Sequence, residues 1–150
     1  MTFSESLVEF VKRWEGLKLE ASPDPLVAGV WDVGHGHVLR SEARPHITRE
    51  EADKLLREDL AAFSAAVDEM AKPTLAQHEH DALVSLAYNV GAKAVETSTL
   101  MRRLNNNDFY GAADEFLRWN RAGGRIVAGL VKRRQAEQSM LEEADYTGSP

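Results

Sequence analysis

Three carboxylates lie close together near the start of the chain: Glu15, Asp24 and Asp32. Glu15 follows a tryptophan and precedes a glycine, and an apolar neighbour favours the protonated form of a carboxyl group, as a general acid requires. Glycoside hydrolysis needs such an acid and a second, ionised carboxylate that acts as base or nucleophile across the scissile bond. The spacing therefore suits a glycosidase, although it fits ordinary surface acids as well.

The stretch WDVGHGHV, residues 31–38, holds the third of these acids beside two histidines and two glycines. Asp32, His35 and His37 are residue types that bind metal ions. On a single strand, however, both histidines face away from Asp32, because successive side chains alternate between the two faces. We therefore predict no metal site. We expect the glycines on the Asp32 face to leave room for a sugar ring, so that the stretch forms one wall of a cleft.

The pattern of apolar residues places these acids where a helix meets a small sheet. A capping-box pattern at Thr2–Glu5 predicts a first helix that runs to about Trp14 and is ended by Gly16. Residues 21–40 lose the helical periodicity and are rich in glycine and β-branched residues, which predicts a hairpin or a three-stranded sheet.

The rest of the chain is predicted to be helical. A second capping box at Thr48–Glu51 begins a long helix that extends to about Met70. Stop and cap residues then divide the remainder into helices over 77–90, from 98, over 108–119 and over 127–143. The predicted fold class is α+β, with a small N-terminal sheet lobe joined by the long helix to a larger helical lobe. We predict one domain over residues 1–144 and a flexible tail, or the start of a linker, over 145–150.

Composition excludes several classes of protein. The net charge of −6 argues against a general nucleic-acid binder, although five basic residues fall between 121 and 134 without an acid. The chain has no cysteine, which excludes disulfides and thiol nucleophiles. We find neither a run of about 20 apolar residues, as a membrane span needs, nor a secretory leader, and we expect a monomer that another component releases.

Seven segments together resemble the phage-type lysozymes, the endolysin muramidases: WEGLKLEASPDP, GVWDVGHGH, ITREEADKLLREDL, LAQHEHDALVSLAYNVG, STLMRRLN, AADEFLRWNRAGG and GLVKRRQAE. They cover residues 3 to about 141 in the family's order. The resemblance implies a lysozyme-like fold and hydrolysis, without a cofactor, of the β-1,4 bond between N-acetylmuramic acid and N-acetylglucosamine in peptidoglycan. It also implies that Glu15 is the general acid and that Asp24 holds or activates water.

The chain departs from the family pattern at two positions. Asp32 occupies the place of the family's threonine, and His35 that of its tyrosine. Asp32 could act as a base, which gives inversion, or as a nucleophile, which gives retention. A third carboxylate could instead weaken catalysis, which leaves a peptidoglycan-binding or scaffold domain with little turnover as the alternative.

Three more residues are candidates for the substrate-binding side: His35, Asn89 and Arg133. The amide of Asn89 suits N-acetyl and hydroxyl groups, but capping of its own helix explains it equally well. The resemblance implies that Arg133 or Arg134 reaches Glu15, the alternative being a surface salt bridge to Glu137. The family further implies accumulation in the host cytoplasm, release through a holin and action on the cell wall.

Overall fold

The computed structural model describes residues 1–40 and 46–150. One helix and three consecutive short strands lie near the N-terminus, and helices dominate the rest, so the predicted α+β class is confirmed. The elements are α1 (Glu5–Glu15), β1 (Lys18–Pro23), β2 (Trp31–Gly34), β3 (His37–Leu39), α2 (Arg49–Met70), α3 (Gln77–Val90), α4 (Ala92–Glu96), α5 (Thr99–Asn105), α6 (Phe109–Phe116), β4 (Arg121–Ala122), β5 (Arg125–Ile126) and α7 (Ala128–Glu143).

The small lobe is an antiparallel sheet with strand order β1-β2-β3. Val33 of β2 packs with Ile47 and with Ala52 of α2 in a small core of its own. Further along α2, Leu56 and Leu60 enter the main core. The long helix therefore belongs to both lobes, as the sequence predicts, because its apolar stripe is shared between two cores.

The helical lobe is built around α3, in which the eight consecutive residues from His80 to Ala87 are all buried. The neighbouring helices surround it, and they supply large apolar side chains such as Phe10 of α1, Phe116 of α6 and Met140 of α7. α1 and α7 thus lie on one core although they are at opposite ends of the chain.

The start of α1 differs from the prediction. Ser4, and not Thr2, is the N-cap, and its hydroxyl oxygen accepts a hydrogen bond of 3.1 Å from the Leu7 amide. Ser4 also donates from its amide and its hydroxyl to the buried carboxylate of Asp81 on α3. This distant contact selects the cap, which is why the local pattern was wrong. The second capping box, Thr48 with Glu51, is confirmed.

The stretch WDVGHGHV is not one strand. β2 ends at Gly34, His35 and Gly36 form a turn, and β3 begins at His37, which is paired with Val33. Both glycines have positive φ, 67° and 90°, which only glycine adopts readily. The prediction that both histidines lie on one face of a strand was therefore wrong, since a hairpin turn separates them.

Three short elements were not predicted from the sequence. β4 and β5 form a two-stranded ladder across Gly123 and Gly124, and α4 separates α3 from α5. Residues 145–150 form no helix or strand, and the division of the chain after residue 144 stays a prediction. No helix in the described ranges is long and apolar enough to cross a membrane.

Candidate active site

Glu15 is the last residue of α1, and its carboxylate lies between the two lobes. Its Oε1 accepts a hydrogen bond of 2.6 Å from Nη1 of Arg133, which α7 contributes. Its Oε2 faces the hairpin turn, where a Cβ added to Gly36 would lie only 3.1 Å away. The Glu15 side chain is 20% exposed, so it is largely enclosed yet still open to a ligand.

Arg133 belongs to a buried network of charges. Its Nε donates a hydrogen bond of 3.2 Å to Oε1 of Glu137. The same oxygen accepts hydrogen bonds of 2.6 Å from the Ser85 hydroxyl and 3.1 Å from Arg134. Burial by itself would lower the pKa of Arg133, but the carboxylates of Glu137 and Glu15 outweigh burial and raise this pKa above its ordinary value. The guanidinium is therefore a fixed positive charge beside Glu15.

The hairpin turn forms the opposite side of the site. Nδ1 of His35 lies 2.5 Å from the carbonyl oxygen of Gly16, so this nitrogen carries a proton and donates it. The backbone oxygen of His35 accepts a hydrogen bond of 2.5 Å from the hydroxyl of Tyr88 on α3. Burial, and then the negative charges of Glu15 and Asp59, raise the pKa of Tyr88 above its ordinary value, so its hydroxyl stays protonated and donates. His35 thus ties the turn to the end of α1 and to α3.

The two glycines do not leave the hairpin open to a sugar in the predicted way. A side chain at Gly34 would meet Ala52 and Ile47 at 3.3 to 3.4 Å, so Gly34 faces the small core. Gly36 makes room for Glu15 and for the Tyr88 hydroxyl, which would lie 3.3 Å from an added Cβ. The lack of a side chain at Gly34 thus allows close packing of the small core, and at Gly36 it leaves room for the Glu15 carboxyl group.

Asp24 and Asp32 have different surroundings. Oδ1 of Asp24 accepts hydrogen bonds of 2.7 and 3.1 Å from the amides of Leu26 and Val27, so this carboxylate holds its own turn together. Asp32, on β2, is one-third exposed and lies 3.4 Å from the Lys18 ammonium and 3.3 Å from the Ser22 hydroxyl. The two carboxylates are thus held differently, Asp24 by amides of its own turn and Asp32 by a neighbouring ammonium and hydroxyl.

Asn89 lies exposed near the end of α3, one residue after Tyr88. It lines a cavity of about 530 Å³ together with Leu26, Arg118, Trp119 and other residues. Leu26 belongs to the turn between β1 and β2, whereas the others belong to the helical lobe, so this cavity lies between the two lobes.

His37 is paired with a carboxylate. Its Nδ1 lies 2.7 Å from Oδ2 of Asp59, which joins β3 to α2. Within residues 1–40 and 46–150, no group of three or more histidine, aspartate or glutamate side chains is placed to hold a metal ion.

Comparison with known proteins adds to this geometry. The family model described as phage lysozyme matches residues 12–137, from the second half of α1 to most of α7. The chain belongs to the phage lysozyme family. The resemblance of its motifs to that family, and the lysozyme-like fold class, are both confirmed.

Two curated relatives of this lysozyme are endolysins. One, from Acyrthosiphon pisum secondary endosymbiont phage 1, is 41% identical over 148 residues, which cover 96% of this chain and 100% of that protein. The other, from Bacillus phage B103, is 41% identical over 143 residues, 94% of this chain but only 54% of that protein, so the lysozyme spans about half of this longer relative. Among solved structures, the muramidase domain of SpmX from Asticaccaulis excentricus has a TM-score of 0.85 and 34% identity over 94% of this chain and 97% of that one.

Sequence reasoning missed part of this lysozyme's site. Tyr88 and Ser85 lie on α3 and donate to the hairpin turn and to Glu137. No local pattern marked them, because their partners are distant in sequence. The spacing of Arg133 and Glu137 did suggest an ion pair, but placed it on the surface, whereas both residues are buried.

Proposed function

We propose that this lysozyme hydrolyses the β-1,4 bond between N-acetylmuramic acid and N-acetylglucosamine with Glu15 as the general acid. The observation that supports the proposal is that the two oxygens of the Glu15 carboxyl group have different neighbours. Arg133 occupies Oε1, which leaves Oε2, on the side of the hairpin turn, as the oxygen that carries the proton. Glu15 gives this proton to the glycosidic oxygen as the bond breaks, and an oxocarbenium-like sugar remains.

We propose that Asp32, and not Asp24, assists the water or the sugar cation. One carboxylate oxygen of Asp24 accepts hydrogen bonds from two amides of its own turn. Asp32 has three longer polar contacts: both of its oxygens lie 3.4 Å from the Lys18 ammonium, and Oδ1 lies 3.3 Å from the Ser22 hydroxyl. Because these contacts are longer than those of Asp24, we expect Asp32 to exchange them more readily for water or for a positive sugar.

Three variants test these roles. Glu15→Gln keeps the shape of the side chain but cannot protonate the leaving group, so lysis of purified cell walls should fall by roughly 10² to 10⁴. Asp32→Asn should also slow turnover, whereas Asp24→Asn should alter mainly the stability of the turn. An Asp32→Asn variant that digests cell walls as fast as the parent would refute the role of Asp32. The anomeric configuration of the fresh product then separates a base from a nucleophile, since inversion indicates a base and retention a nucleophile.

A second candidate function is peptidoglycan binding with little turnover. It is favoured by Asp32 in place of the family's threonine and by the Lys18 ammonium 3.4 Å from its carboxylate, which engages a group that the reaction would need. Sedimentation with insoluble peptidoglycan measures binding, and loss of turbidity measures lysis. Binding without lysis supports this second function, and lysis that Glu15→Gln abolishes supports the enzyme.

We also propose that His35 and Asn89 border the bound glycan, which the cavity that Asn89 lines supports.

We further propose that the protein acts as a monomer without nucleic acid and reaches the wall from the cytoplasm through a holin. The net charge of −6 supports the absence of nucleic acid, and the likeness to endolysins supports the route to the wall. Lysis of cells that express the protein with and without a holin tests the route. Light scattering after gel filtration tests the oligomeric state.

A further inference from the structure

We infer that residues 145–150, the C-terminal tail, hold α1 against α7 and thereby position Glu15 on Arg133. Tyr146 and Gly148 are the positioning residues. This inference rests on the proposed function, in which Glu15 is the acid. The contact between Glu15 and Arg133 joins the first helix to the last, and the tail lies across the same pair of helices.

Tyr146 anchors the tail in the helical core. Its hydroxyl donates over 2.7 Å to Oδ2 of Asp81, a fully buried residue of α3. The same carboxylate accepts hydrogen bonds from Ser4, the N-cap of α1, and from Gln77. One buried carboxylate therefore joins the start of α1, the centre of the lobe and the tail.

The end of α1 is attached to the tail as well. The Arg13 guanidinium donates to the backbone oxygen of Tyr146, and over 3.4 Å to that of Gly148. Arg13 is two residues before Glu15, so this attachment acts on the last turn of the helix that carries the acid.

Gly148 lies directly on α7. A Cβ added there would lie 2.4 Å from Cβ of Ala136, which no packed structure allows, and 3.9 Å from Cε2 of Phe10 on α1. Ala136 is one helical turn beyond Arg133, so the two lie on the same side of α7. The tail backbone is thus wedged between the two helices at a point one turn from the ion pair.

A cavity of about 260 Å³ lies beside the tail, next to the residues that precede the ion pair. Trp14 and Lys132, the residues immediately before Glu15 and Arg133, line it together with Gly148 and other tail residues. A tail that is pushed off α7 would let α1 and α7 change their spacing. Because catalysis depends steeply on the position of the acid, we expect this movement to lower kcat.

The test moves one methyl group between the tail and α7. Gly148→Ala adds a methyl that collides with Ala136, and Ala136→Gly combined with it removes the collision. Ser149→Ala is the matched control, because Ser149 is the exposed next residue of the tail. We measure kcat and KM for the release of reducing ends from soluble peptidoglycan fragments at 25 °C, together with thermal unfolding of each variant.

We expect Gly148→Ala to lower kcat about tenfold, with KM changed less than about twofold, because the acid moves while the cleft stays intact. The double variant should recover most of kcat although glycine within α7 lowers its thermal stability. That recovery distinguishes positioning from mere loss of stability. Tyr146→Phe, which removes the donor to Asp81, should lower kcat less than Gly148→Ala.

Two outcomes overturn the inference separately from the proposed function. If the parent is active, Glu15→Gln is inactive and Gly148→Ala has parental kcat, then the tail has no positioning role. The same follows if the double variant is no faster than Gly148→Ala. If the parent itself releases no reducing ends, or Glu15→Gln is as active as the parent, then the proposed function fails and the positioning role fails with it.

Discussion

Replacement of Arg133 by methionine tests the structural basis of the site most directly. Arg133 is 4% exposed and bridges Glu15 and Glu137. Removal of one partner from a buried ion pair typically costs about 3 to 5 kcal/mol, because a charge is left uncompensated. Glu137 keeps Ser85 and Arg134 as partners, so we expect the lower end, about 3 kcal/mol.

For a chain of this length, a loss of about 3 kcal/mol lowers Tm by roughly 6 to 12 °C. Thermal unfolding followed by circular dichroism measures this change. Turnover should fall roughly 10- to 100-fold at 25 °C, where the variant is still folded, since the Glu15 carboxylate has lost the group that fixes its orientation. Cell-wall turbidity, and reducing-end release from soluble fragments, measure the change in turnover.

Arg134→Met is the matched control for this prediction. Arg134 is also buried and pairs with the same Glu137, at 2.8 Å. Among the residues that the structure describes, Arg133 and not Arg134 forms the ion pair with Glu15. We expect a comparable loss of stability with turnover closer to that of the parent. Equal losses of turnover in the two variants, or an Arg133→Met variant with parental Tm and turnover, would refute the reasoning.

Three further predictions concern the turn, the buried carboxylate and a helix cap. Gly36→Ala places a methyl 3.1 Å from Oε2 of Glu15 at a φ of 90°, so we expect a loss of about 1 to 2 kcal/mol in unfolding experiments and slower lysis. Burial raises the pKa of Asp81, but its neighbour His80 and the hydroxyl and amide donors around it outweigh burial and hold the pKa below its ordinary value. The ionised Asp81 therefore stabilises the folded protein above about pH 4, and this stabilisation is lost as the pH falls through the lowered native pKa. We expect Asp81→Asn to be about 2 to 3 kcal/mol less stable at pH 7. Urea titrations at several pH values should show that the variant lacks this part of the acid dependence. Thr48→Ala removes the N-cap of α2 and should cost about 1 kcal/mol, or roughly 2 to 4 °C in Tm, with parental turnover as the check that the effect is local.

Local patterns predicted those features that local chemistry determines. The capping box at Thr48 and the stop at Gly16 were located correctly, because neighbouring residues and the positive φ of 71° at Gly16 determine them. The N-cap at Ser4 was not predicted correctly, because Ser4 binds the carboxylate of Asp81, which is 77 residues away in the sequence. The sequence likewise predicted Glu15 at a helix end, but gave no indication that Tyr88 or Ser85 would complete its surroundings.

The hairpin shows a second reason for such errors. Alternation along WDVGHGHV predicts a strand, and two glycines fit either an open strand or a turn. Only the structure shows that Gly34 lies against Ala52 while Gly36 lies against Glu15. Tertiary packing decides between the two conformations, and a single sequence does not contain that packing in readable form.

The turn of this hairpin also determines how the two lobes can move. Through His35, the turn is fastened to Gly16 at the end of α1 and to Tyr88 on α3, so it fastens the sheet lobe to the helical lobe beside the acid. The sheet lobe also approaches the helical lobe at a second place, where a Cβ added to Gly123 would lie 3.8 Å from Cδ2 of Leu26. The contacts that place the acid are therefore also contacts between the lobes, so a change in how the lobes meet would disturb the alignment of the reacting carboxyl group.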